Sequence, residues 1–393
     1  MSPRAVTAPV TGLLVGLLLA LAAALAGCEA TSGAPPPAGT ATSPAPPGAA
    51  SDGPAPVRSA APIRLGFAPL ALRRLVRDAR RAGSSCLLVS RNGVVAGEWY
   101  WRGGSADRPQ EVYSVTKSVT STLVGIAQAD GDLSLDAPAA RYIPQWRGTA
   151  SAGVTVRDLL SNDSGREWSV ETDYAGLLGA DDRTAYAVGL GQDAPPGTVW
   201  AYNNAAIQTL DRVLRSATGS DPASYAAERL FGPLGMTETR MTSDASGRAD
   251  QVFFGMQSTC RDLERFGRLF LQRGGWEGRQ VVPASWVRAA VGQPSQDLNA
   301  AYGLLWWLNQ EGTVRRPLDA ANPGLPPGVA GEDQLVPGAP EEMFAALGFG
   351  GQVVLVDPDS GTIVVRLGAP RPRGAAEYSV RDAARVVTEA LRR

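Results

Sequence analysis

With 393 residues the chain is long enough for one large domain or two smaller ones, and its apolar share of 44% is ordinary for a globular protein. A formal net charge of -1, with arginines and carboxylates interspersed, gives no sign of a nucleic-acid binder and reads as a solvated surface. Histidine is absent. No Ser-His-Asp triad, Cys-His pair or His-containing zinc site can therefore be built, and proton transfer near neutral pH falls to a carboxylate, a tyrosine, a cysteine or a shifted lysine.

The N-terminus reads as a targeting segment. Arg4 supplies positive charge, and the apolar run VTGLLVGLLLALAAALAG ends at Leu25-Ala26-Gly27-Cys28. This junction resembles a bacterial lipoprotein signal, in which small residues admit the peptidase and the cysteine becomes the lipidated first residue. A transmembrane anchor or an ordinary secretory signal is the alternative. On the lipoprotein reading, residues 1–27 are a signal peptide and Cys28 is acylated. The protein is then held on the extracytoplasmic face of the cell membrane. Residues 28–62 are rich in Pro, Ala, Gly and Ser, cannot bury a core, and read as a semi-extended tether. Two further cysteines remain, Cys86 and Cys260. Outside the cytoplasm such a pair favours a disulfide; two buried free thiols are the other possibility.

The folded part, 63–393, opens with LALRRLVRDARRAG, apolar at helical spacing and ending at Gly83. SCLLVSRNGVVAGEWYW reads as a hairpin around Asn92-Gly93. The segment EVYSVTKSVTSTLVGIAQADG reads as a buried helix closed by Gly131. The middle is helical and loop-rich. TVRDLLSN has a threonine cap, NAAIQTLDRVLRSATG is amphipathic, and DPASYAAERLFGPLG has Asp221 as cap and Pro222 at the first helical position. STCRDLERFGRLFLQRGG begins on a Ser or Thr cap. Strands return in AYGLLWWLN and in GQVVLVDPDSGTIVVRL, a hairpin turning at 358–361, and SVRDAARVVTEALRR closes as a helix. Strands at both ends with helices between predict an α+β fold, one antiparallel sheet split by a helical insertion.

All but one of the 37 basic residues are arginine; the exception is Lys117. Ser114 and Lys117 stand three apart at a helix start, so they share a face and the amine can reach the hydroxyl. The helix N-terminus adds free N–H groups and partial positive charge beside Ser114. Val115, Thr116, Val119 and Leu123 would bury the pair, and burial lowers a lysine pKa until it can take a proton from serine. Arginine cannot do this. DGDLSLD, with Asp130, Asp132 and Asp136, lacks the glycine and terminal glutamate of a calcium loop and reads as a helix-ending turn. Of Trp306 and Trp307, one is expected in the core and one at a pocket or the surface. Trp168 and Tyr174 fall on a loop expected to border an acyl pocket.

Ser114-x-x-Lys117, followed by Tyr202-x-Asn204 in PPGTVWAYNNAAIQ, resembles the serine β-lactamase and penicillin-binding-peptidase family with its related esterases. LLSNDSG, FGPLGMTET and QVVPASWV are similar to further family segments and run in the family's order. The likeness extends from about residue 66 to 392. It looks closest to the class C-like branch, which includes esterases and 6-aminohexanoate-dimer-type hydrolases. The resemblance implies a β-lactamase/transpeptidase-like fold and a reaction needing no metal or cofactor. It implies Ser114 as nucleophile, Lys117 and Tyr202 sharing base and acid duty, and Asn204 orienting the lysine and the substrate.

The family's third element, Lys or His then Thr or Ser then Gly, aligns with Ala346-Leu347-Gly348. Gly348 and Gly350 would lie along the substrate, and the N–H of Phe349, within one or two residues, would join that of Ser114 as an oxyanion hole. The cation that helps hold a substrate carboxylate is missing at Ala346. The expected activity is therefore that of a serine hydrolase on a small ester or amide. The rivals are a cell-wall D-amino-acid peptidase or β-lactamase, and a catalytically weak binding or sensor domain.

Overall fold

The computed structural model describes residues 57–319, 333–372 and 374–392. The signal segment, Cys28 and most of the expected tether lie outside the described residues. The hydrogen-bonded body begins before Ile63, because Val95 donates to the Arg58 carbonyl (2.8 Å) and accepts from the Ala60 amide (3.1 Å).

Helix α1 (Pro69–Arg81) buries Leu72, Leu75 and Ala79 on one side, as its periodicity predicts. Strands β1 (Cys86–Arg91) and β2 (Val94–Tyr100) form the first hairpin. Asn92 and Gly93 take φ 49° and 72°, the left-handed pair that a two-residue hairpin turn requires. Helix α2 (Val115–Asp130) is buried on every side from Val115 to Ala127 and is the central core helix. The helical insertion follows. Thr155 and Asp158 form a capping box, Asp221 caps Pro222–Ala226, and Thr259 caps α3 (Cys260–Leu271). Strands β3 (Trp307–Leu308), β4 (Phe344–Gly348), β5 (Gln352–Asp357) and β6 (Thr362–Leu367) complete the sheet, and α4 (Val380–Arg385) packs behind it.

The six strands run in the order β2-β1-β6-β5-β4-β3 with antiparallel neighbours. The first strand of the sheet thus pairs with the last; Cys86 of β1 lies opposite Leu367 of β6. Successive residues face opposite layers. Cys86 and Leu88 join the core shared with α2 and the insertion, while Leu87 and Val89 join the core under α1 and α4. Cys86 of β1 is disulfide-bonded to Cys260 of α3, with Cα atoms 6.5 Å apart across 174 residues of sequence. The bond ties the first strand to a helix of the insertion.

Two elements differ from the sequence reading. The run 301–309 keeps only two residues as strand, because Leu305 turns to φ 59° and its N–H bonds the Leu160 carbonyl. The helix expected from Asn204 is interrupted at Thr209, whose hydroxyl bonds back to the Ala206 carbonyl at 2.6 Å. In the DGDLSLD turn, Asp130 pairs with Arg229 at 2.6 Å and Asp136 with Arg157 at 2.8 Å.

Candidate active site

The start of α2 is set by an unusual residue. Tyr113 takes φ 49°, a conformation costly for a side chain other than glycine. Its N–H donates to Glu111 Oε1 (3.1 Å) and its carbonyl accepts from the Thr116 hydroxyl (2.6 Å). Burial pushes the Glu111 carboxyl up to about 7. Ser114 follows at the N-cap position but makes no side-chain cap bond, so its hydroxyl is free for chemistry. It is partly exposed, within reach of a substrate.

Lys117, one turn on, is 1% exposed. Its Nζ lies 2.8 Å from Ser114 Oγ and donates to the Phe253 carbonyl at 2.8 Å. The Tyr202 ring stands 4.8 Å from the same nitrogen. Burial drives the lysine pKa down to about 7, with the Asp173 carboxylate pulling it part of the way back. Burial holds the Tyr202 pKa well above the usual tyrosine value, and the Ser114 hydroxyl pulls it only part of the way back. Near pH 7 the lysine is thus divided between its two protonation states while the phenol stays protonated.

Tyr202 reaches this position because its loop is braced from two sides. The Asn162 side chain accepts from the Asn203 amide at 3.3 Å, and the Asn162 carbonyl accepts from Ala201 at 2.9 Å. Trp168 donates its indole N–H to the Tyr202 carbonyl at 3.0 Å. Trp307 stacks on the Tyr202 ring at 5.8 Å, and Tyr302 stands edge-on to it. Trp306 packs instead among Phe266, Phe270 and Phe344. Both tryptophans are therefore buried, and one of them supports the site.

The helix N-cap is Asn203, whose side chain accepts from the Ala206 amide at 2.7 Å. Asn204 donates its amide to Asp173 Oδ2 at 2.7 Å, and Asp173 Oδ1 accepts from the Ala205 amide at 2.8 Å. The expected hold of Asn204 on Lys117 is thus not among the hydrogen bonds of the lysine described above. The Phe253 carbonyl stands there instead. Tyr174 stands next to Asp173 on a short helix, Glu171–Gly176, where a loop was expected. Its hydroxyl pKa is raised by burial and by the Asp173 and Tyr202 charges and lowered by Asn204, which brings it to the same cluster.

Asp173 was not singled out from the sequence. It is 1% exposed, and burial raises its pKa to about 6 against the pull of Ala205, Asn204 and Lys117. The only sequence hint was its place beside Tyr174.

On the other side of Ser114 runs β4. A Cβ on Gly348 would collide with the Val112 carbonyl, so glycine lets this strand lie against the nucleophile loop. Phe349 opens the following turn, 43% exposed, with its ring edge-on to Tyr113 at 5.6 Å. Gly350 is held by the turn: its carbonyl accepts from Arg366 at 2.6 Å. Ala346 is fully buried in the strand. Among the described residues no cluster of acids and cysteines has a metal-holding arrangement.

A helix-start serine against a buried, partly neutral lysine, with a protonated tyrosine packed beside that lysine in the core shared with the insertion, defines a serine hydrolase of the Ser-x-x-Lys class. The chain belongs to the beta-lactamase family, whose model matches residues 71–385. It is 24% identical over 286 residues to the 6-aminohexanoate-dimer hydrolase of Paenarthrobacter ureafaciens, covering 64% of this chain and 71% of that protein. It is 29% identical over 197 residues to the esterase EstB of Burkholderia gladioli, covering 42% of this chain and 48% of the esterase. Among solved structures, a penicillin-binding protein homologue from Caulobacter crescentus superposes with a TM-score of 0.58 at 16% identity. That match covers 80% of this chain and 95% of the homologue, and it speaks for the fold alone.

Proposed function

We propose that the protein hydrolyses small esters or amides through an acyl-enzyme on Ser114. The observation that carries the reading is the 2.8 Å approach of Lys117 Nζ to Ser114 Oγ at a buried position where the amine titrates near pH 7. Neutral Lys117 takes the Ser114 proton as Oγ attacks the substrate carbonyl carbon. The N–H groups of Ser114 and Phe349 receive the developing oxyanion. Tyr202, protonated at working pH, passes a proton to the leaving alcohol or amine, and Lys117 re-protonates it. A water then attacks the acyl-serine, again giving its proton to the lysine, and the acid departs with Ser114 restored. Asn204, tied to Asp173, Tyr174 in the same cluster, and Trp168, tied to the Tyr202 loop, border the substrate. Ala346 supplies no cation, which favours substrates without a carboxylate to be recognised.

A fluorophosphonate probe, p-nitrophenyl esters and a chromogenic cephalosporin test this together. Probe labelling lost in Ser114→Ala, with ester turnover faster than cephalosporin turnover, is the expected result. Rapid cephalosporin hydrolysis would shift the reading to a β-lactamase or cell-wall peptidase. No labelling of the folded wild type would favour a binding or sensor domain.

We also propose that Cys28 is acylated and that the enzyme works on the extracytoplasmic side of a membrane. The apolar run ending in Leu25-Ala26-Gly27-Cys28 supports this, and so does the disulfide between Cys86 and Cys260, a bond that persists in oxidising compartments. Cys28→Ser should stop lipid labelling and leave the protein unprocessed or released. Unchanged processing and labelling in that variant would remove the anchor.

A further inference from the structure

Charges that are interspersed along the sequence are not interspersed on the fold. At 100° per residue, Leu70, Arg73, Arg74, Arg77, Arg80 and Arg81 share an arc of about 120° on α1. That arc lies opposite the buried Leu72, Leu75 and Ala79, and all six residues are exposed. Arg77, Arg80 and Arg81 continue into a concavity of about 680 Å³ completed by Trp101 and Arg102; no carboxylate lines it. Arg74 is paired with Glu389 and Arg81 loosely with Asp78, at 3.0 and 3.8 Å. Glu389 and Asp78 are also shared with Arg385. For Arg77, Arg80 and Arg102 the described residues provide no ion-pair partner. At the other end of the stripe stands an exposed aliphatic residue, Leu70 at 76%.

We propose that this face of α1 docks on an anionic phospholipid surface. The chemistry fits lipid better than a soluble polyanion. Guanidinium groups attract the headgroup phosphates, Leu70 can enter the acyl boundary, and the amphipathic Trp101 suits the interface between them. The surface stands without the anchor proposed at Cys28, although an anchor would make weak docking sufficient by raising the local concentration. Docking has a directional consequence. The core under α1 is on the opposite face of the sheet from the core containing α2, which carries Ser114. The nucleophile helix is therefore held on the far side of the sheet from the lipid, and substrate arrives from the aqueous phase.

The test uses the unacylated chain from residue 29 onward, which contains the compact unit Pro56–Arg393. It is sedimented with vesicles of phosphatidylglycerol mixed with phosphatidylcholine, and with phosphatidylcholine alone. Binding is expected only to the anionic vesicles, weakened by salt. It should fall about a hundredfold in the triple variant Arg77→Gln, Arg80→Gln, Arg81→Gln, with ester turnover unchanged, since each basic residue near such a surface contributes about fivefold. Leu70→Ser, which removes no charge, should weaken vesicle binding and leave any association with soluble polyphosphate untouched. Equal binding to neutral vesicles, or undiminished binding by the folded triple variant, would overturn the proposal. So would polyphosphate binding as tight as vesicle binding with no effect of Leu70→Ser, which would assign the face to a soluble polyanion.

Discussion

Lys117→Arg is expected to lose about 10³-fold or more in acylation rate, nearly as much as Lys117→Ala, although it preserves the positive charge. The catalytic demand is a group that can be neutral. Wild-type Lys117 titrates near 7 because burial disfavours its ammonium form, and the neutral fraction rises with pH. Below about pH 7, kcat/KM should therefore fall about tenfold per unit, since a protonated amine cannot take the serine proton. An arginine stays charged throughout that range, so the variant should show low activity without the same inflection. Asp173 is the nearby acid whose own titration, near 6, can shape the acidic limb, and the Asp173→Asn profile separates the two groups. Circular dichroism and melting must show that each variant is folded. A well-folded Lys117→Arg enzyme with near-normal ester turnover would remove the lysine from the role of base.

Arg366→Met is expected to cost about 3 kcal/mol or more of stability and to depress kcat even in the molecules that remain folded. Arg366 is fully buried, and burial lowers its pKa to about 10. Its guanidinium donates to the carbonyls of Gly350 (2.6 Å), Gly351 (2.9 Å) and Ala82 (3.3 Å) and to the Ser84 hydroxyl (2.8 Å). Methionine fills much of the space but abandons these acceptors in the interior. The turn that follows β4 would lose its hold, and with it the placement of the Phe349 amide. Arg366→Lys should recover only part of the loss, because a single ammonium cannot span acceptors from two sides. Melting temperature and single-turnover acylation measure the two effects. A variant with unchanged melting and unchanged acylation would show that the turn holds itself.

The residues whose chemistry is local were legible in the sequence. Ser114 and Lys117 are one helical turn apart, so spacing alone predicts their contact. Asn92-Gly93, Thr155, Asp221 and Gly131 announce a turn, two caps and a helix end by their own conformational preferences. Asp173 was missed because its meaning arises only when the short helix Glu171–Gly176 folds beside Lys117, 56 positions away. The Phe253 carbonyl was missed because a backbone atom has no letter in the sequence. The cap role of Asn203 was not legible, because either of two adjacent amides can cap a helix, and only the fold shows that Asn203 does so while Asn204 turns toward Asp173. The arginine stripe of α1 was hidden by net charge, which sums over a surface and so conceals where each sign collects.

The burial of the chain's single lysine has a consequence for handling and labelling the enzyme. Among the described residues, the folded surface presents no ε-amine to reagents that modify amines, since Lys117 is 1% exposed. Activated esters, anhydrides and reducing sugars would find no lysine there to tag. An acyl adduct that survives digestion of the folded protein would therefore report on Ser114 or Lys117 rather than on a background of modified lysines. Reactive substrates could then be screened in mixtures by intact mass alone.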